Sequence, residues 1–521
     1  MKKSLTRREF LKNTAVLSSA AVCVSGLSIG MEVVKRTEGK RPNIIFLMSD
    51  QQRWDCVGKI NPMVKTPALD RIADNGVLFD QAVCQGPMCV PSRYSMMLGL
   101  YPSQVGVLKN SMSLTDDQLP CETLPEILRK AGYQTAGFGK THWRAKGCST
   151  RGFETRFIGQ PRNSSLYERD AVMMSDVNPE GLGRYMQETR PFGAGEENIA
   201  GYLGCTSKVE EKDHRDGWVF NECLDFIEKG IDKESPLFLY LSFLKPHAGH
   251  NVPPGYEELY EIDKIPVPEQ PAKDKAEPCH ATGVNREQMY RGFWSKASKK
   301  QWQQMILRYW ANCSWIDSMF DRVMKKLEAK GILDNCLIVY VSDHGEMLGE
   351  RFYRFNKYCL FESSVRVPMI IGGTAVPRSS RGTVDHRPAE LVDVLPTILK
   401  VAAIENDYSK PGRDLLGPVV KSATFCEFHN QPKIAAYMWR KRDYKLILCM
   451  DKSRIEDGFG HGDVVRGELY HLNKDPQEWN NVFDDEKHTA VRQKMSGELI
   501  LHLEMYAKPS RLRKEDKSQL H

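Results

Sequence analysis

Asn43-Ile44-Ile45-Phe46-Leu47-Met48-Ser49-Asp50 carries five consecutive apolar residues closed by a hydroxyl and a carboxylate. A run without polar alternation reads as a strand covered on both faces, the habit of a parallel sheet between helix layers. The flanking sequence agrees. Thr66 stands before a stripe of Leu69, Ile72 and Ala73, and the spacing predicts a capped helix running to Asp74. Leu124–Ala131 reads as helix, Thr135–Phe138 as strand, Trp218–Lys229 as helix and Leu237–Phe243 as strand. Lys299–Lys330 reads as one long helix, Cys336–Ser342 and Val367–Ile371 as strands, and Ala389–Val401 as a helix. Such alternation predicts an α/β fold, a large mostly parallel sheet flanked by helices. Ligand sites of such sheets gather beyond the carboxyl ends of strands, where Asp50 and Asp343 fall.

Beyond residue 410 the texture changes. Ile434–Trp439, Tyr444–Leu448 and Glu468–Leu472 read as short antiparallel strands, and Val491–Ala507 as an amphipathic helix. The chain divides into a leader (1–30), an α/β body (31–410) and a smaller C-terminal domain of antiparallel sheet plus helix with a basic tail (411–521). Residues 250–297, rich in Pro, Lys and Glu, read as a long surface excursion of the kind that carries substrate contacts.

The 521 residues are 41% hydrophobic and 27% charged, a balance that excludes disordered, collagen-like and multi-span membrane classes. The net charge of +6 is concentrated at the ends, leaving a nearly neutral body that excludes nucleic acid as a partner. Thr6-Arg7-Arg8-Glu9-Phe10-Leu11-Lys12, followed by the Ala/Ser-rich stretch from Thr14 to Ile29, resembles a twin-arginine signal. That implies twin-arginine export machinery as a partner and a periplasmic or secreted destination. The stretch is too short and too rich in serine for an anchor, and Ala20-Ala21-Val22 before Cys23 is a poor lipoprotein box. Fourteen cysteines form no short-spaced cluster of the zinc-binding kind. Cys336 and Cys449 sit in apolar runs, and a chain folded in the cytosol acquires few disulfides, so mostly free thiols are expected.

Cys89-Val90-Pro91-Ser92-Arg93 is the most informative pentapeptide. Pro91 and Ser92 suit a first helical turn, which puts Cys89 at a helix amino end that favours an anion. Arg93, four residues on, shares its face. A buried structural cysteine beside a surface arginine fits the pentapeptide equally well. Further on, Lys140 and His142 lie two apart, so an extended backbone points both the same way, a cation beside a titrating imidazole.

These stretches resemble the formylglycine-dependent sulfatase family of the alkaline-phosphatase-like superfamily. Cys89–Arg93 matches its C-x-P-S-R signature, and Gly132–His142 its second signature, G-Y-x-T-x-x-x-G-K-x-H. The likeness continues through Arg41-Pro42-Asn43, Asp50, Lys245-Pro246-His247, Ser342-Asp343-His344-Gly345-Glu346, Lys357 and residues 469–476. It implies that Cys89 is oxidised to formylglycine (3-oxoalanine) by a maturation enzyme acting on the unfolded cytosolic chain before export. The hydrated aldehyde is a gem-diol: one hydroxyl attacks the sulfate sulfur, and the other, once deprotonated, expels sulfate. By the same match Arg93 and Lys140 hold gem-diol and sulfate oxygens, and His142 takes the proton of the second hydroxyl. His247 and Lys357 bind sulfate and stabilise or protonate the departing alcohol oxygen.

The metal ligands implied are Asp50, Gln51, residue 89, Asp343 and His344. Gln51 departs from the family's commoner aspartate and removes one negative charge. Oxygen ligands outnumber nitrogen, which favours Ca2+ over Mn2+ or Mg2+. Arg53, Trp54, Asn110, Trp143, Arg144, His250, Arg351, Arg354 and Asn356 flank the motifs and are expected to line an outer pocket for a sulfated glycan. Two other functions compete: hydrolysis of a phosphoester or phosphonate ester on the same fold, and non-catalytic glycan binding by an unconverted cysteine.

Overall fold

The central strand, Asn43–Asp50, forms because both its faces have somewhere to go. Ile44, Phe46 and Met48 enter one core while Ile45 and Leu47 enter another, and all five are fully buried. The computed structural model describes residues 41–507 except 144–146, 190–201, 273–274, 276–277, 282–291, 406–408, 430 and 456–457. The leader, Arg144 and the basic tail lie outside the described residues.

Nine strands form the main sheet, in the order Thr383–Asp385, Gly76–Phe79, Met369–Gly372, Cys336–Ser342, Asn43–Asp50, Leu237–Pro246, Gln134–Gly139, Thr155–Ile158 and Val172–Met173. Only Met369–Gly372 runs against its neighbours, so the sheet is mostly parallel. Helices Pro67–Asp74, Arg215–Lys229 and Lys299–Ala329 cover one face. Cys89–Leu98, Leu124–Lys130 and Val394–Val401 cover the other. The α/β expectation holds, with local differences. The segment expected to be helical from Ala389 begins as a two-residue strand, because buried Glu390 accepts hydrogen bonds from Phe425 N (2.6 Å) and Tyr101 OH (3.0 Å); the helix starts at Val394. Strands Gly76–Phe79 and Thr383–Asp385 are too short to announce themselves in sequence.

The C-terminal strands Thr424–Phe428, Ile434–Arg440, Tyr444–Asp451 and Val464–His471 make a separate antiparallel sheet in sequence order. Period-two alternation divides its side chains. Cys426, Phe428, Met438, Ile447 and Tyr470 join the core of the main body. Phe425, Tyr437, Trp439, Leu446 and Leu448 pack with Met495, Leu499 and Leu503 of helix Thr489–Tyr506. The described part of the 250–297 excursion lies across both units: Gln270 donates to Gly349 O (2.8 Å), and buried His280 contacts Glu468 at 3.0 Å. The thirteen cysteines from Cys56 to Cys449 are all free thiols.

Thr66 does not cap helix Pro67–Asp74 with its side chain; its hydroxyl accepts from Gly58 N at 2.7 Å. The cap comes from 250 residues away. Asp317 on the long helix accepts from Ala68 N and Leu69 N, each at 2.9 Å, pinning the short helix to the long one. Asp317→Ala strands two buried donors and is expected to lower unfolding stability by about 1–3 kcal/mol in urea titration. Asp321→Ala, which removes the partner of the half-exposed Arg71, should cost about 0–1 kcal/mol. Equal losses in the two variants would refute the remote cap.

Candidate active site

Parallel register creates the site. Ser49 pairs with Ser342, so Asp50 and Asp343, the next residue of each chain segment, emerge side by side at the sheet's carboxyl end. Both are fully buried. Cys89 opens helix Cys89–Leu98 after an extended Met88 with no side-chain cap; in that first turn Val90 N is taken by Asn110 Oδ1 at 3.0 Å, Pro91 has no N–H and Ser92 N donates to Met88 O at 3.1 Å. Strand Gln134–Gly139 delivers Lys140 from the opposite side. Gly139 is required at that turn: its φ is 87°, and a Cβ would stand 1.9 Å from Ser242 O.

Arg93 ties the carboxylates together. Its Nε donates to Asp343 Oδ2 at 2.7 Å and its Nη2 to Asp50 Oδ2 at 2.9 Å. Tyr240 OH (3.3 Å), Ser242 Oγ (3.1 Å) and the Lys140 carbonyl hold Nη1. Lys140 Nζ donates to Asp50 Oδ2 at 2.6 Å. The Cys89 sulfur lies 3.2 Å from His344 Nε2, 3.2 Å from Lys357 Nζ and 3.9 Å from Asp50 Oδ1. Ser92 Oγ donates to Asp343 O at 2.5 Å, locking the helix start to the same strand end.

One ligand atom from each of Asp50, Cys89, Asp343 and His344 falls within a 4.8 Å cluster. His344 Nδ1 is 2.9 Å from Gly345 O, so a hydrogen bond there leaves the Nε2 lone pair facing the cluster. Two carboxylates, an imidazole and residue 89 suit a divalent cation. Gln51 is occupied otherwise. Its Oε1 accepts from Lys357 Nζ at 2.7 Å and its Nε2 donates to Glu346.

Burial sets the electrostatics, and the cations answer it. Burial pushes Asp50 up, but Lys140, Arg93 and their neighbours hold it well below the usual carboxylate range. Burial and Asp50 push the Cys89 thiol up, yet Lys140, Lys357 and His344 outweigh them and hold it well below its ordinary value. The pocket is thus built for negative charge at position 89. Burial, then Lys140 and Arg93, keeps His142 well below the ordinary imidazole value, and burial with Lys357 pushes His247 down to about 3. Both shifts favour the neutral ring.

The structure brings together Asp50, Gln51, Cys89, Arg93, Lys140, His142, His247, Asp343, His344 and Lys357. The extended Lys-x-His expectation is corrected: the strand stops at Gly139 and His142 adopts φ 61°, so a left-handed turn aims the ring. Several outer-pocket expectations have other placements. Trp143 is buried edge-on to Tyr94 (5.3 Å between centroids) with Arg151 over its ring. Buried His250 bonds Tyr202 O at 2.7 Å, and buried Arg354 donates to Ala281 O at 3.1 Å. Asn110 accepts from Val90 N at 3.0 Å, and Asn356 N donates to Glu346 Oε1 at 2.5 Å, so both brace the site's walls. Arg53, Trp54 and Arg351 do line a cavity, of about 550 Å³. Sequence reasoning assigned no role to Tyr240, Ser242 and Glu346. A tyrosine and a serine two apart in an otherwise apolar strand were the available signal for the first pair.

With this geometry in place, comparison with known proteins identifies the class. The family model described as Sulfatase matches residues 42–404, and one described as N-sulphoglucosamine sulphohydrolase, C-terminal, matches residues 349–504. The chain belongs to the sulfatase family and is a sulfuric ester hydrolase. It is 27% identical to an arylsulfatase of Clostridium perfringens, covering 86% of this chain and 91% of that one. It is 26% identical to an N-acetylglucosamine-6-O-sulfatase of Bacteroides thetaiotaomicron, covering 89% and 87%. A solved structure described as a complex with its substrate D-glucosamine-2-N,6-O-disulfate shares the fold, with TM-score 0.69, 21% identity and coverage of 92% and 100%.

The buried histidines predict a pH dependence of stability. Burial, with Lys245 second, pushes His250 down to about 3, whereas an unfolded histidine titrates near about 6.5. The unfolded chain therefore binds more protons, so stability is complete above that value and is lost as pH falls toward 3. Urea titrations from neutral to acid pH should show this decline, and His250→Phe should flatten it by up to about 1.4 kcal/mol per pH unit. An unchanged slope would mean that His250 is already charged in the folded protein.

Proposed function

We propose that Cys89 is the precursor of formylglycine and that the enzyme removes sulfate from a sulfated glycan. The observation that carries this is the placement of the Cys89 sulfur at a helix amino end, 3.2 Å from both Lys357 Nζ and His344 Nε2. Hydrated formylglycine supplies a nucleophile with its own release step, and a divalent cation supplies charge that lowers the pKa of that nucleophile. Arg93 and Lys140 neutralise the carboxylates and present N–H groups to sulfate oxygens. Neutral His142, whose Nδ1 has no hydrogen-bond partner among the described residues, accepts the proton that frees sulfate. Burial pushes Lys357 down, but Cys89, Tyr358 and Asp50 hold it above its ordinary pKa, and it orients sulfate as a cation. His247, which couples to Lys357, Asp50 and Cys89, is assigned to the departing alcohol oxygen. The glycan reading draws support from the relative that acts on N-acetylglucosamine 6-sulfate and from the glucosamine disulfate complex. We also propose export through the twin-arginine leader to the periplasm or beyond, after conversion of Cys89 in the cytosol, with no lipid anchor.

Cys89→Ala should lower turnover of 4-nitrophenyl sulfate by roughly 10⁴-fold or more. Mass spectrometry of the peptide spanning residues 85–93, from protein recovered in the periplasmic fraction, should show the thiol lost and an aldehyde in its place. An intact thiol there supports the binding relative instead. A wild-type preference for 4-nitrophenyl phosphate supports the phosphoester hydrolase, and recovery in the cytosol alone removes the export reading.

For the cation, the oxygen-rich ligand set in the sequence favours calcium, but Lys357 and Glu346 engage the Gln51 amide. That leaves Asp50, Asp343, His344 and residue 89, a small set with one imidazole. Calcium takes about six to eight oxygens, so we propose manganese. Chelation should abolish turnover and Mn2+ should restore it more fully than Ca2+; the reverse order would return the assignment to calcium.

A further inference from the structure

We propose a second binding site, for an acidic sugar unit further along a sulfated polysaccharide, in two adjoining cavities on the outer flank of the main sheet. This rests on the glycan reading above and extends it from a terminal sugar to a chain. The inner cavity, about 550 Å³, is built from segments that leave the same carboxyl ends as the catalytic residues. Arg53 and Trp54 follow Asp50, Glu350 and Arg351 follow Asp343, Asp80 follows strand Gly76–Phe79, and His386 follows strand Thr383–Asp385. The outer cavity, about 610 Å³, shares His386 and Arg442 with it and opens beside the C-terminal sheet. With strands about 4.8 Å apart, the pair runs two to four strand spacings outward from the Asp50–Asp343 pair, a span that a short oligosaccharide bridges. The segment between them is shared: Glu350 and Arg351 face the cavity, and Lys357 beyond them reaches Cys89.

The lining has the chemistry of an anionic sugar. Arg366 sits over the Trp54 ring, 3.5 Å from guanidinium carbon to ring centroid, a cation–π contact in the cavity lining. Buried Arg366 Nε and Arg351 Nε have no hydrogen-bond partner among the described residues, although both guanidinium groups make other bonds. Both side chains line the inner cavity, where a guanidinium pairs with a sulfate or carboxylate. Burial pushes Arg366 down to about 10, the mark of a guanidinium that its neighbours compensate incompletely. Asp80 and Glu269 on the same lining supply acceptors that suit sugar hydroxyls. Five Lys or Arg side chains line the outer cavity; Arg387, Lys421 and Lys441 pair with Asp385, Glu390 and Glu498, and Lys494 forms no ion pair among the described residues. Exposed Arg442, at the junction, forms no ion pair among the described residues. Mixed donors and acceptors at the inner end, with Arg442 and Lys494 at the outer end, fit a polymer bearing both hydroxyls and acid groups.

The test uses the full Cys89→Ala protein, which holds substrate without turning it over, in calorimetric titrations. The probes are tetrasaccharides from heparin, chondroitin sulfate and carrageenan, and glucosamine 6-sulfate as the single sugar. At least one tetrasaccharide should bind roughly tenfold or more tightly than the monosaccharide. Trp479→Ala and Arg442→Glu, at a half-buried and an exposed residue of the inner cavity's lining, should each remove that advantage while monosaccharide affinity stays the same; melting curves check the fold. Equal affinity for tetrasaccharides and monosaccharide, or lining variants that bind like the parent, would overturn the second site. Wild-type turnover of 4-nitrophenyl sulfate, measured in parallel, separates the outcomes. If turnover persists while the tetrasaccharide result is negative, only the second site fails; if turnover is absent, the sulfatase mechanism fails with it.

Discussion

Two carboxylates buried side by side repel each other at close range and in a medium that screens poorly. Asp50 and Asp343 coexist because one guanidinium, Arg93, bonds to both and Lys140 adds a second cation to Asp50. Everything else in the site is placed relative to that arrangement. Arg93 is carried by the helix that Cys89 opens, so the charge that reconciles the carboxylates also sets the position of the reactive residue. Tyr240 and Ser242, from a third strand, leave the guanidinium no freedom to turn.

The site therefore belongs to the sheet rather than to any one loop. Four parallel strands contribute their carboxyl ends, and the backbone bends sharply as it leaves them. Gln51, His142 and Asn356 all have positive φ, at 65°, 61° and 64°, conformations that non-glycine residues rarely hold. Such strain persists only where surroundings impose it. Here Tyr309 accepting from Arg53 N and donating to Gln51 O, and Glu346 accepting from Asn356 N, impose it.

The small C-terminal sheet does more than cap the chain. One face completes the core of the main body and the other buries the last helix. Its contact with the catalytic unit runs through a buried ion network. Glu362 pairs with Arg440 at 2.8 Å and Lys445 at 3.1 Å, and the two cations hold it far below the usual carboxylate range against the effect of burial. The same contact walls the flank cavity, which joins the packing of the two sheets to the surface offered to substrate.

Covalent order carries much of this protein. Apolar runs and their spacing specify the parallel sheet, the helix layers and the antiparallel strands, because burial periodicity is a property of consecutive residues. The signatures around Cys89 and Lys140 specify the chemistry for the same reason: neighbours in sequence remain neighbours in a helix or a strand. Only the tertiary structure decided which residues distant in sequence meet. Asp317 capping a helix 250 positions earlier, Glu346 and Lys357 engaging the Gln51 amide, and the burial of Trp143, His250 and Arg354 have no local trace. Long-range packing sets those contacts, and a linear pattern records what a side chain is without recording what the fold brings against it.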